Sequence, residues 1–217
     1  EMKGINDVQK MCLLRKVPGK KDIFDIPFIR RESIDLQSLQ LINFKNARNY
    51  DIESQNRIMH FFLFDRDFEH LFEYPDRHLS KFREYKAVMS PDYSTYADMD
   101  IAMIISSIYK NRWLGAYWQS RGVKVIPTIG WASSDTYPIC FAGVEQGCSV
   151  AISTLGANEY QEAFMQGFQE MIWRISPNTI ICLGPEIEGM GGNVIYVRYV
   201  DSFGGGVSNG RQISFLV

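Results

Sequence analysis

Histidine and cysteine are scarce in this 217-residue chain, and neither is patterned. Cys12, Cys140, Cys148 and Cys182 show no CxxC spacing, and the histidines are confined to His60, His70 and His78. Structural zinc needs closely spaced Cys or Cys/His ligands, so this distribution argues against such a site. A Ser/His/Asp hydrolase is as poorly served, because no GxSxG elbow occurs and every histidine precedes residue 80. There is no GxxxxGK(S/T) phosphate loop, and Gly189, Gly191 and Gly192 lack the strand–turn–helix context of a dinucleotide fingerprint. The longest strongly apolar stretch, Ile101 to Ile108, is far below the roughly 20 residues that cross a bilayer. No apolar signal core follows Glu1-Met2-Lys3, which with scattered free thiols sets the expectation of a cytoplasmic protein without a membrane contact.

Apolar residues are plentiful, at 46% against 22% charged, so the chain can bury one sizeable core and lacks the signature of disorder. Net charge is −2, but residues 1–50 carry ten Lys/Arg against six Asp/Glu. Lys10, Arg15, Lys16, Lys20, Lys21, Arg30 and Arg31 make a basic region too thin for extensive duplex binding, which draws on many phosphate contacts.

Residues 1–57 read as an irregular lead-in packing on the core, punctuated by Pro18-Gly19, Pro27 and an Asn-rich exit. From there on, near-continuous apolar runs recur. They are Met59 to Phe64, Lys86 to Met89, Val123 to Thr128, Ser149 to Ile152 and Thr179 to Leu183, with a further β-rich run at Val194 to Val197. A strand covered on both faces loses the alternation of a half-exposed one, so these runs predict parallel strands. Helices are expected between them. One spans Phe68 to Tyr85 and is divided at Pro75-Asp76, a second spans Met99 to Arg121 with Gly122 as its stop, and a third spans Glu159 to Ile175. The fold class is α/β, a mostly parallel βα-repeat sheet forming an open or partial barrel in a single domain. Five or six units are too few for an eightfold barrel of about 250 residues. The core domain is placed at 58–200, and 201–217 reads as a Gly-rich tail.

In parallel α/β folds ligands bind beyond the carboxyl ends of the strands. That rule selects Asp65 and Asp67, then Asp92, Tyr93 and Ser94, then Thr128 and Trp131, then Ser153, Thr154 and Gly156, and finally Glu186. Asp65, Asp92 and Glu186 are the candidate catalytic residues, since three carboxylates would suit general acid/base work or Mg²⁺. Aspartate after a strand is also a good helix N-cap. Thr128, Trp131, Ser153, Thr154 and Gly156 are the candidate ligand-binding residues, and Ser153-Thr154-Leu155-Gly156, just ahead of a helix, suits a phosphate or carboxylate. The segment Arg112 to Arg121 is unusual in carrying two Trp and a Tyr. Trp113 and Tyr117 share a helical face suited to core packing. An outward Trp118 with Arg112 and Arg121, together with Lys20 and Lys21, would make a surface for nucleic acid or a host protein.

The blocks His60-Phe61-Phe62-Leu63, Ser90-Pro91-Asp92-Tyr93-Ser94, Asn111 to Ser120, Val125-Ile126-Pro127-Thr128 and Ser153-Thr154-Leu155-Gly156 resemble the bacterial and phage family of domain of unknown function 4417. The resemblance covers about half of the chain, leaving out the first 50 residues and the tail. It implies a bacterial, prophage or plasmid setting and no activity. The functional expectation is a small-ligand domain, a hydrolase or transferase for a phosphorylated or nucleotide-like substrate. The alternative is a mobile-element protein that engages DNA or a host protein without catalysis.

Overall fold

The computed structural model describes Gly19 and residues 21–203. Seven strands follow one another: β1 Gln40–Asn43, β2 Arg57–His60, β3 Ala87–Met89, β4 Val125–Ile126, β5 Ser149–Ser153, β6 Thr179–Leu183 and β7 Val194–Val197. All pair in parallel, in a four-stranded sheet β1-β2-β3-β4 and a three-stranded sheet β5-β6-β7. Among the described residues one bridge joins the sheets, Thr128 to Ala151, with the Ala151 N–H donating to Pro127 O at 2.9 Å and the Ile129 N–H to Ala151 O at 2.8 Å. The ladder thins here because Pro127 has no N–H to give. Thr128 continues the contact on the other side, donating its hydroxyl to Ser90 O at 2.7 Å while its N–H donates to Ser90 Oγ at 2.9 Å.

Sequential strand order with side chains alternating in and out makes an incompletely closed barrel. Leu41, Ile58, Ala87, Met89, Ile126, Ala151, Ile181 and Leu183 form one buried cluster on the inner face, with Val197 packed against it. Their neighbours in the strands, among them Ile42, Met59, Val88 and Val125, point outward to pack under the helices, as Val150, Ile152, Ile180 and Cys182 do on the second sheet. Both faces are thus buried, which is why the strands read as unbroken apolar runs. No strand pairing joins β7 to β1 among the described residues. A 3-10 turn, Tyr199–Phe203, packs against β1 instead. Its Ser202 O accepts from His60 Nε2 at 3.1 Å, while His60 Nδ1 accepts from the Phe62 N–H at 3.3 Å, and burial pushes this imidazole down to about 4.

The helices are α1 His70–Glu73, α2 Leu79–Glu84, α3 Ile101–Ser120, α4 Tyr137–Cys140 and α5 Gln161–Ile175. The division at Pro75-Asp76 separates α1 from α2, and Gly122, at φ 81°, stands just past the end of α3. The expected lead-in contains a strand, β1, whose signal is only Leu41-Ile42 before Asn43. Ahead of it, Ile29 is buried and pairs with Val144, its N–H donating to Gly143 O at 2.9 Å. Among the described residues no helix is long and apolar enough to cross a membrane. Lys20 and the tail from residue 204 lie outside the described residues.

Candidate functional site

A cavity of about 1370 Å³ opens beyond the carboxyl ends of the strands. Each strand that reaches it hands over to a loop held by its neighbour. After β2, Asp65 opens a 3-10 turn, and its carboxylate accepts from the Ser94 N–H at 3.2 Å and from Ser94 Oγ at 3.0 Å. That contact ties the loop after β2 to the loop after β3. Tyr96 extends it, donating its hydroxyl to Ser94 Oγ at 3.3 Å. After β1, Asn43 caps its own turn by accepting from the Asn46 N–H at 2.9 Å, and Lys45 pairs with Asp67 at 3.2 Å.

Asp92 follows β3 directly and lines the cavity half-buried. Among the described residues nothing hydrogen-bonds to its carboxyl. Burial, reinforced by the negative charge of Asp65 and opposed by Arg112, pushes Asp92 up to about 7. Beside it Tyr93 is 5% exposed, and its hydroxyl has no hydrogen-bond partner among the described residues. Burial, with Glu69 and Asp65 adding to it, holds that phenol far above its usual range.

The opposite wall is aromatic. Trp131 lies 4.9 Å from Phe164 between ring centroids and packs over Gly167, where a Cβ would overlap the indole. Tyr160 and Leu155, both exposed, stand at the start of α5 and in the loop before it. Ser153 lines the cavity, with its hydroxyl donating to Leu183 O at 3.2 Å and accepting from the Leu155 N–H at 3.1 Å. Gly156 takes φ 82°, a conformation that favours glycine, and opens the 3-10 turn that follows.

Eight of the sequence-selected residues therefore share one cavity: Asp65, Asp67, Asp92, Tyr93, Ser94, Trp131, Ser153 and Gly156. Three do not. Thr128 is buried past the end of β4, between Ser90 and Ala151 of β5. Thr154 is buried with its hydroxyl on Pro185 O at 2.7 Å. Glu186 is exposed and stands outside the lining. The expected carboxylate trio loses Glu186, and among the described residues no group of three or more His, Cys, Asp or Glu side chains is gathered closely enough to hold a metal ion. Phosphate also finds little complement. Among the described residues Asp65, Asp67, Asp92 and Asp98 line the cavity against Lys45 alone, which is already paired. Asn43, Lys45 and Asn46 escaped sequence reasoning because β1 did. Tyr160 and Phe164 did so because they belong to a helix face rather than to a strand end.

The aromatic partner surface is a correction. Arg112 and Trp118 are fully buried, at 0% exposure. The Trp118 indole N–H donates to Pro75 O at 3.0 Å, and its ring packs 4.7 Å from Phe82. Arg121 is exposed over Tyr117, and Lys21 is exposed beside Asp25 at 3.9 Å. The half of α3 from Asn111 to Gln119 is buried on every side, so it has no polar stripe from which an outward face could be read. Trp118→Phe is expected to destabilise the protein by about 1–3 kcal/mol, because it strands the Pro75 carbonyl. Chemical denaturation checks this, and DNA retention on a column should not change.

Residues 19–200 match the family described as Domain of unknown function (DUF4417), a match that begins well before the blocks carrying the resemblance and takes in β1. The chain is 35% identical over 182 residues to the Gene 1 protein of Mycobacterium phage D29, covering 77% of this chain and 67% of the relative. The Gene 1 protein of Mycobacterium phage L5 is 35% identical over 182 residues, with 79% of the relative covered. No solved structure matches significantly. With a phage-associated family matching almost the whole described fold, the chain belongs to the family of domain of unknown function DUF4417.

Proposed function

We propose that this domain binds a small ring-bearing ligand without net negative charge, of nucleoside type, in the cavity at the strand ends, and that Asp92 exchanges a proton with it. The observation that carries the reading is the Asp92 carboxyl, set in the cavity lining with no hydrogen-bond partner among the described residues. A carboxyl that titrates near neutral pH serves as donor or acceptor to a polar ring edge, and as general acid or base where a bond is to be broken. The aromatic wall of Trp131, Tyr160 and Phe164 offers faces for a planar ring. Ser153 and Asn46 supply hydroxyl and amide contacts along the lining. The acidic excess disfavours phosphates by like-charge repulsion, so the nucleotide-like expectation narrows to the base and sugar. Hydrolysis or transfer at the base–sugar bond is the reaction such a site would serve, in the cytoplasm of a phage host.

A thermal-shift series tests the reading with adenosine, guanosine, cytidine and uridine beside their 5′-monophosphates. At least one nucleoside is expected to raise Tm, its monophosphate less so, and Asp92→Asn to abolish the rise. No rise with any nucleoside, or a larger one with the monophosphates, contradicts it.

A further inference from the structure

Arg112 is buried beneath the cavity and has no ion-pair partner among the described residues. Its guanidinium donates only to uncharged oxygens: Nε to Ala142 O at 2.9 Å, Nη1 to Thr128 O at 2.9 Å and to Asn111 Oδ1, and Nη2 to Cys140 O at 2.9 Å. Carbonyl dipoles satisfy its N–H groups, and the carboxylates that act on its charge, Asp22 and Asp92, do so without a direct ion pair; a buried charge acts over a longer range than an exposed one. The neighbouring Asn111 works with it. Its Nδ2 donates to Pro91 O at 2.7 Å and to Thr128 O at 3.2 Å. The pair therefore grips the carbonyl just before Asp92 and the carbonyl just before Ile129-Gly130, two segments that line the cavity.

We infer that Arg112 is the positioning residue of the Asp92 site: it holds the Thr128 carbonyl directly and, through Asn111, the Pro91 carbonyl before Asp92, and it supplies the buried positive charge against which Asp92 releases its proton. The inference rests on the reading of Asp92 as the proton-exchanging group. The groups acting on that carboxyl are Asp65 from the turn after β2, which holds the proton on, and Arg112 from α3, which draws it off. Tyr93 and Asp98 line the same cavity from the loop after β3. Without Arg112, burial and Asp65 would keep Asp92 protonated well above neutrality. The group could then donate a proton but not take it back.

The test is the carboxyl ¹³C NMR titration of Asp92 in the ligand-free full chain, assigned with Asp92→Asn. Arg112→Gln is expected to raise the midpoint by about one pH unit or more, a tenfold weaker acid. Arg112→Lys keeps the charge and is expected to hold the midpoint within about half a unit of the parent. An unchanged midpoint in Arg112→Gln overturns the inference, as does a shift of more than a unit in Arg112→Lys. If Arg112→Gln does not fold, Arg112→Lys carries the test alone. An Asp92 that titrates at an ordinary carboxylate value in the parent sinks the proposed function instead, which separates the two failures.

Discussion

Asp92→Asn is expected to stabilise the protein by about 2 kcal/mol at pH 8 and to leave it nearly unchanged at pH 4. The carboxyl titrates at about 7 in the folded protein against 3.8 in the unfolded chain. Below pH 3.8 both states hold the proton, and the group adds nothing to the difference between them. Between about 4 and 7 the unfolded chain has lost the proton while the folded protein retains it, so stability falls as pH rises. Above 7 the penalty is constant. Full expression of that shift at about 1.36 kcal/mol per unit gives roughly 4 kcal/mol, and partial solvation of the half-buried carboxyl brings it to about half. Asparagine keeps the shape and carries no charge to bury. Urea denaturation of both proteins across pH 4–8 should show curves that meet at the acid end and diverge toward pH 8. Parallel curves would mean that the Asp92 carboxyl is not held against its charge. The gain is the one expected at the proposed ligand site, since functional sites commonly trade stability for a poised group.

Gly167→Ala is expected to cost about 1–3 kcal/mol and to displace Trp131 from the cavity wall. Gly167 lies in α5 where that helix meets the indole, and a Cβ there would overlap the Trp131 ring. Alanine is ordinarily the better helix former, so an exposed site would gain stability from this change. The sign of the effect therefore reports the contact rather than the helix. Loss of stability with a shift in tryptophan emission, and loss of the Tm rise given by a nucleoside, is the expected combination. A neutral or stabilising substitution would place Trp131 elsewhere and remove the aromatic wall.

Much of this architecture was legible because the strands are buried on both sides. The runs at β2, β3, β5 and β6 each present apolar residues to the barrel interior and to the helices at once, as Ile180 and Ile181 do on adjacent positions of β6. The runs ended where the chain leaves the sheet, and that is how Asp65, Asp92 and Trp131 could be grouped before their geometry was seen. β1 escaped because two apolar residues and an asparagine give no periodicity. With it went Asn43, Lys45 and Asn46. Glu186 was misplaced for a different reason. A strand end fixes where a loop begins, but Pro185 and Gly184 at φ 117° turn this one away from the cavity. An outward Arg112 and Trp118 stayed open as an alternative to core packing because a cation and a large indole are usually half exposed. Here a row of carbonyls from Thr128, Cys140, Ala142 and Pro75 satisfies both in the interior, and local sequence carries no trace of such distant acceptors.

The most direct measurement is the pH titration of the aspartate carboxyls by ¹³C NMR in the unliganded protein, repeated with one saturating nucleoside. The account predicts a carboxyl with a midpoint near 7, absent in Asp92→Asn and moved by the nucleoside. If every aspartate titrates below about 5, or if the neutral-range carboxyl does not respond to any ligand that binds, Asp92 is not the proton-exchanging group of this cavity.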